Sequence, residues 1–342
     1  MEAEDQLVGR IAKALSSVGE GRSRGALRSL VKLGIGDDAA ILMAGGKQDW
    51  ILTCDAFIEG VHFLHDRHPP ESVGYKSLAR AASDIAAMGA TPRAFLLTLA
   101  LPEKLTGRWL DRFLAGMKRA SRALGVQLIG GDTTTSPHVC VSITVLGEVA
   151  RGRAVLRSGA RPGDAIYVSG RLGRAQLGLE LLRRGATISK SGDPALRNAL
   201  QQHLYPAIRV ELGAWLAQHR IASAMMDISD GLSTDLPRLC RASGVGARID
   251  SRRIPCVEIP ERAARKLKGI AGNPLELALD GGEDYELLFT VPRRHVAKLG
   301  RAPGFSAHTP VGDITRERTI LLLDFAGHPH PLRSRGWDPF RK

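Results

Sequence analysis

The sequence predicts an α+β protein of two domains, and three observations predict it. The chain has 342 residues, against roughly 100–200 for an average domain. Helical and extended patterns follow one another without the regular strand–helix–strand alternation of a doubly wound sheet, which favours layered α+β packing. A turn-rich seam falls near residue 150, where Arg151-Gly152-Arg153 is followed by Ser158-Gly-Ala-Arg-Pro-Gly-Asp164. An α/β domain over 1–150 and an α+β domain over 151–342 are therefore expected. With 44% hydrophobic and 24% charged residues, the chain can build packed cores and is not disordered.

In the first half, Gln6–Ser16 has helical periodicity, and Ala39–Met43 and Trp50–Cys54 read as strands. Pro70–Met88 reads as a helix entered through Pro69-Pro70 and closed by Gly89. Ala94–Leu101 is a buried-strand candidate, Thr106–Leu124 an amphipathic helix capped by Thr106, and Val126–Ile129 and Val139–Val149 further strands. In the second half, Ala165–Ser169, Ser223–Ile228, Tyr285–Val291 and Thr319–Phe325 read as strands, and Arg174–Arg184 and Ile208–Gln218 as helices. Leu232–Ala242 is helical too, with Pro237 expected to bend it or delay its start.

Composition excludes several classes. No apolar run reaches the ~18 residues of a membrane helix, and the acidic start Met1-Glu-Ala-Glu-Asp5 is unlike a secretion signal. A cytoplasmic protein without membrane contact is expected. Cys54, Cys140, Cys240 and Cys256 form no CxxC pair, so neither zinc nor a disulfide framework is expected. The formal net charge of +13 favours phosphate-bearing partners. Nucleic acid is not expected among them, because aromatics make up 5% of the chain and its arginines are dispersed.

The acids are the informative feature. They recur beside glycines or at strand ends: Gly34-Ile-Gly-Asp37-Asp38, Thr53-Cys54-Asp55, Ser83-Asp84, Gly130-Gly131-Asp132-Thr133-Thr134, Asp227-Ile-Ser229-Asp230-Gly231, and Gly281-Gly282-Glu283-Asp284-Tyr285-Glu286. Several carboxylates converging on one cleft repel one another unless cations bridge them. Mg²⁺ takes hard oxygen ligands and completes its shell with substrate phosphates. Gly-rich turns offer backbone N–H groups to phosphate oxygens. Together they point to nucleotide-dependent phosphoryl transfer. Singly, each motif has a plainer reading. Gly-Asp-Asp is a common turn, Asp84 has Arg80 one helical turn earlier as a surface partner, and Asp230 suits an N-cap.

Other nucleotide and hydrolase signatures are absent. The chain has no G-x-x-x-x-G-K-[ST], no G-x-G-x-x-G after a strand, no His-Arg-Asp or Asp-Phe-Gly, no G-x-S-x-G and no H-E-x-x-H.

The six acid motifs occur in the order found in the thiamine-monophosphate kinase family, of the aminoimidazole-ribonucleotide synthetase-like superfamily. Lys76-Ser-Leu-Ala79, Leu156-Arg157-Ser-Gly-Ala160, Val168-Ser-Gly170 and the tail Gly336-Trp337-Asp338 add to the resemblance, which spans nearly the whole chain. It implies Mg²⁺-dependent phosphorylation of thiamine monophosphate by ATP, through direct in-line transfer. It implies that superfamily's two-domain fold, the N-terminal sheet pairing with a second subunit and the C-terminal domain covering the nucleotide cleft. It also implies the roles of residues. Asp38, Thr53, Asp55, Asp84, Asp132, Asp227 and Asp230 would hold metal, with Asp55, Asp132 and Asp230 central to catalysis. Gly131, Asp132, Arg157 and Ser229 would touch ATP, and His62, Glu283 and Trp337 would line the thiamine-phosphate site.

Two positions depart from the family pattern. Cys54 stands where Thr is common, and a thiol is a poor Mg²⁺ ligand. Pro339 replaces a His after Trp337-Asp338. The competing readings are another ATP enzyme of the superfamily, such as an aminoimidazole-ribonucleotide synthetase-like protein, and a non-catalytic nucleotide sensor or basic RNA-binding module. A selenophosphate synthetase would carry a reactive Cys near a Gly-rich N-terminal segment, which is not seen.

Overall fold

The structure, a computed structural model, describes residues 4–16, 30–43, 45–261, 273–306 and 309–340. The first half contains α1 (Glu4–Ser16), β1 (Val31–Leu33), β2 (Ala40–Met43), β3 (Gln48–Ile58), α2 (Pro70–Ala87), β4 (Thr91–Leu101), α3 (Arg108–Leu124), β5 (Gln127–Thr135) and β6 (Cys140–Ala150). Its six strands form one sheet in the order β1-β2-β3-β6-β4-β5. The long antiparallel pair β3–β6 runs from Gln48 opposite Ala150 to Ile58 opposite Cys140, and β5 lies parallel to β4 at the edge.

Side chains alternate across this sheet, as a period of two requires. Ile51, Phe57, Phe95, Leu97, Val141, Ile143 and Val145 are buried in one core with α2 and α3. On the opposite face Trp50, Cys54, Leu96 and Thr98 are exposed.

Helix α2 is the hub. Small residues let it be buried along almost its whole length, as the run Ala79-Arg-Ala-Ala-Ser83 suggests. It packs on β3, β4, β6 and α3, and also on α6 (Val210–Gln218) and β8 (Ala224–Ile228) of the second half. Gly74 and Gly116 make the α2–α3 contact possible. A Cβ at Gly74 would stand 2.0 Å from the Phe113 carbonyl oxygen, and one at Gly116 would stand 1.9 Å from that of Glu71. Any side chain there would force the helices apart.

The second half adds β7 (Ala165–Val168), α4 (Arg174–Arg183), α5 (Pro194–Leu204), α7 (Leu232–Ser243), β9 (Gly246–Asp250), α8 (Pro274–Asp280), β10 (Glu286–Val291), β11 (Gly312–Thr315), β12 (Ile320–Leu323) and β13 (Pro329–Pro331). Its seven strands run β13-β12-β9-β11-β7-β10-β8. Every pairing is antiparallel except β12–β9. The α+β layering is therefore as expected. No helix among the described residues is long and apolar enough to cross a membrane.

Several local expectations change. Thr106 does not cap α3: Gly107 holds that position, and the Thr106 hydroxyl donates to the Glu103 carbonyl at 2.8 Å, closing a 3₁₀ turn. Pro237 does not delay α7, which starts at Leu232 and runs through it. Gly130-Gly131-Asp132-Thr133-Thr134 is not a turn after a strand but the body of β5 itself.

Candidate active site

Three carboxylates meet where the halves join. Asp38 enters from the loop before β2, Asp84 from α2 and Asp227 from β8, and their oxygens lie within 4.8 Å of one another. Two hydroxyls hold them: Thr53 donates to Asp84 at 2.6 Å, and Ser83 donates to Asp227 at 2.6 Å. Burial, and then the mutual repulsion of Asp55, Asp227 and Asp38, pushes the Asp84 carboxyl well above the usual range. The same causes push Asp227 up to about 7, burial foremost and Asp38 next. Asp37 is raised to about 6 by burial and by Asp38.

Arginines answer part of this charge. The Arg157 guanidinium binds Asp38 Oδ1 through Nε at 3.1 Å and Nη2 at 2.6 Å, while its backbone N–H donates to Asp37. Arg80 does not pair with Asp84 one turn away. Its Nε donates to Asp55 on β3 at 3.0 Å, and its Nη1 is buried with no hydrogen-bond partner among the described residues. Arg238 bonds Asp230 through Nη1, which also reaches Asp235 at 3.1 Å. Asp38 Oδ2 is likewise buried without a partner among the described residues. This donor set is all oxygen and is short of positive charge, which suits a hard divalent cation.

The loop after β8 is held in place by one buried carboxylate. Asp235, fully buried in the first turn of α7, accepts the backbone N–H groups of Ser229, Asp230 and Gly231 at 3.1, 3.0 and 3.1 Å. Asp230 is thus not the N-cap of α7, which is Gly231.

Above the acids opens a cleft of about 1690 Å³. Single small-molecule sites occupy roughly 300–1,000 Å³, so this one has room for two ligands. Asp55, His62, Arg157, Ser229, Asp230, Glu283 and Trp337 all line it. His62 and Trp337 form one wall, their rings 5.6 Å apart and inclined at 47°. The His62 ring accepts the Ile58 N–H at 3.0 Å, and burial holds it neutral, with its pKa lowered to about 3. The Trp337 backbone N–H donates to the Asp230 carbonyl at 3.0 Å, so the tail lies back over the Asp227–Gly231 loop. Glu283 projects from a segment in which both it (φ 66°) and Tyr285 (φ 50°) have left-handed backbone, a conformation costly for a residue with a side chain and frequent at functional sites.

Gly131 and Asp132 are not brought to this cluster. They lie on the exposed edge strand β5, where Asp132 pairs with Thr98 and shares its outward face. Gly131 (φ 152°) is confined: a Cβ there would meet the Leu97 carbonyl oxygen at 1.8 Å.

Comparison with known proteins fits this geometry. Two family models match, "AIR synthase related protein, N-terminal domain" over residues 36–149 and "AIR synthase related protein, C-terminal domain" over 161–316. The curated thiamine-monophosphate kinase of Salmonella typhimurium is 38% identical over 312 residues, 91% of this chain and 92% of that protein. The chain belongs to the thiamine-monophosphate kinase family. Among solved structures, AaThiL complexed with AMPPCP and TMP matches with a TM-score of 0.81 at 33% identity, over 99% of this chain and 97% of that one. The thiamine-monophosphate kinase of Stenotrophomonas maltophilia K279a matches with 0.71 at 35% identity, over 88% and 93%. The fold is accordingly the two-domain AIR synthase-like fold.

Within this family member the Cys54 departure concerns the far side of the sheet. Thr53 and Asp55 point inward, while the Cys54 thiol points outward and lies 3.5 Å from the Ser142 hydroxyl. Pro339 leaves Trp337 seated against His62. Sequence reading missed Arg80, Asp235, Arg238 and Lys76 as members of the site. Asp235 and Arg238 carried a signal, an acid and a base following Asp230-Gly231 at helical spacing. Lys76 stood in the Lys76-Ser-Leu-Ala79 motif of the resemblance but without a role, and Arg80 offered no signal beyond its place on a helix of small residues.

Proposed function

We propose that the protein transfers the γ-phosphoryl group of ATP to the phosphate of thiamine monophosphate, giving ADP and thiamine diphosphate, the last step in making that coenzyme. The observation that carries this reading is the convergence of Asp38, Asp84 and Asp227 from both halves beneath a cleft large enough for two ligands. It is supported by family membership and by the ATP analogue and TMP bound to AaThiL.

Asp38, Asp55, Asp84, Asp227 and Asp230, with the Thr53 hydroxyl, would hold Mg²⁺. When bound, the ions supply positive charge that screens the two phosphate-bearing substrates from each other and from these acids. Arg157 adds a fixed cation at the same place. Ser229, whose backbone is pinned by Asp235, meets the nucleotide, and Gly131 and Asp132 are further nucleotide contacts in this proposal. Trp337 stacks on a thiamine ring beside neutral His62, and Glu283 accepts hydrogen bonds from the ring's nitrogen donors.

The acceptor oxygen belongs to a phosphate already ionised near neutral pH. It attacks the γ-phosphorus in line as the bond to the ADP oxygen breaks, and no side chain has to remove a proton. Positioning and charge neutralisation are then the whole of the catalysis. This accounts for a site rich in acids and arginines in which His62 is held neutral.

The exposed face of the six-stranded sheet, with Trp50 and Leu96 open to solvent, is proposed as the contact with a second copy. Sedimentation of the purified protein tests it, with a monomer at micromolar concentration as the contrary result.

The activity is tested with purified protein, ATP and Mg²⁺ and with thiamine monophosphate, thiamine and aminoimidazole-pathway substrates offered in parallel. Thiamine diphosphate formed one-for-one with ADP, from the monophosphate alone, is expected. ATP binding without that product refutes the substrate and returns weight to a superfamily relative or a sensor.

A further inference from the structure

Lys76 has no exposed surface at all. Its amine donates to Glu283 Oε2 at 2.8 Å and lies 3.5 Å from His203 Nδ1. The far nitrogen of His203 meets His68 Nε2 at 3.0 Å, and His68 Nδ1 accepts the Leu64 N–H at 3.0 Å. The group spans both halves, since Lys76 is on α2, His68 follows the His62 wall, His203 is on α5 and Glu283 precedes β10.

An ammonium removed from water is costly, and an apolar side chain of similar length would serve packing as well or better. Burial and the charge of Lys76 hold both imidazoles neutral, so neither histidine competes with the amine for Glu283 as a cation. Both Glu283 contacts use Oε2. The carboxylate itself keeps 23% of its side-chain surface open, and its residue lines the cleft. Its backbone N–H is fixed to the Ser229 carbonyl at 2.7 Å. Glu283 is therefore gripped from behind and free in front.

We propose that Lys76, backed by His203, is a positioning residue that holds Glu283 Oε2 and so aims the second oxygen into the cleft, so that selection of an acceptor with N–H donors depends on a lysine that never touches it. This rests on the reading of Glu283 as a contact to the thiamine ring. A carboxylate without its ammonium would turn, or meet the ligand with the wrong oxygen. Each of these weakens recognition of the acceptor and leaves the ATP end of the cleft alone.

The test compares wild type, Lys76→Met, Glu283→Gln and the double variant by steady-state kinetics with thiamine monophosphate and ATP, with urea unfolding beside them. Methionine matches the length of lysine without its charge, so Lys76→Met should fold. Its KM for thiamine monophosphate should rise about tenfold or more, while that for ATP stays within about twofold. The double variant should be no worse than Glu283→Gln, because contacting residues that act through one interaction are not additive. Lys76→Gln restores a donor to Oε2 without charge, should recover part of the affinity, and serves should the methionine variant fail to fold. If Glu283→Gln raises KM and the Lys76 variants do not, or if the effects simply add, the inference is overturned while the proposed function stands. If Glu283→Gln leaves KM unchanged, the assignment of Glu283 itself fails.

Discussion

The Ser83 hydroxyl donates to Asp227 at 2.6 Å, tying helix α2 of the first half to strand β8 of the second. Its neighbour Asp84 accepts the Thr53 hydroxyl at the same distance. Consecutive residues of one helix thus reach both sheets. What they gather is unfavourable on its own, because burial pushes Asp38, Asp84 and Asp227 toward protonation and neighbouring carboxylates add to it at Asp84 and Asp227. The arrangement stores a demand for cations.

That demand has a sign. The Asp227 carboxyl is raised to about 7 in the fold from an ordinary 3.8. Between those values the native state binds more protons than the unfolded chain, so cation-free stability falls as pH rises through the window. A metal needs the deprotonated acids. Millimolar Mg²⁺ should therefore raise the melting temperature more at pH 8 than at pH 5, and Asp227→Asn should raise cation-free stability at pH 8 and shrink the Mg²⁺ gain. Calorimetry at the two pH values reads both effects, and equal gains at both would contradict the cluster.

Asp55 and Asp132 make a paired test. Asp55→Asn frees Arg80 and removes an acid beside the cluster, so turnover should fall by about 10²-fold or more. Asp132 is exposed, and among the described residues its carboxylate bonds only the adjacent Thr133 N–H, at 2.9 Å, so Asp132→Asn should leave the urea midpoint unchanged. Loss of turnover in that intact fold is expected from its proposed role at the nucleotide, and wild-type turnover would remove Asp132 from the site.

Much of this site was legible in the sequence because its acids sit beside glycines or at the ends of apolar runs. That is a local signal, and Asp38, Asp55, Asp227, Asp230 and Glu283 all carry it. Their partners are harder to read from local chemistry, since a lysine inside a helix of small residues looks like any surface lysine until α5 closes over it. The Gly130–Thr134 segment misled in the other direction. Its composition is that of a turn, yet pairing with β4 keeps it extended, because tertiary contacts override weak strand propensity. Helices α5 and α8 were readable after all. Asp193-Pro194 and Asn273-Pro274 pair an N-cap with a first-turn proline, and both side chains do accept the expected backbone N–H. Strands β9, β11 and β13 have three to five residues each, too few for a period to show.

The outward turn of Cys54 gives a prediction against the resemblance. Were its side chain part of the metal site, Cys54→Thr would change the Mg²⁺ dependence of the reaction. The thiol faces Ser142 across β6 instead, so the substitution should leave the Mg²⁺ concentration for half-maximal rate within about twofold of wild type. A larger shift would return the side chain to the site.

The paired histidines behind Glu283 predict an acid instability opposite in sign to the effect of Asp227. Burial and then Lys76 lower His68 to about 3, and only the Leu64 backbone and Asp66 act against this. His203 is lowered by burial, Lys76, His68 and Arg183. For a depressed histidine the unfolded chain binds the extra proton, so the stability that His68 contributes is intact above pH ~6.5 and declines toward pH ~3 at about 1.4 kcal/mol per unit, and His203 acts in the same direction. The raised Asp227 makes stability rise on acidification over part of the same range, and the two slopes partly cancel in the wild-type curve. The difference between wild type and His68→Gln removes everything they share. Urea midpoints from pH 7 down to pH 4.5 should show the variant losing less stability than wild type. Parallel curves would mean that His68 is protonated in the fold, and then the amine of Lys76 would face a second cation across His203.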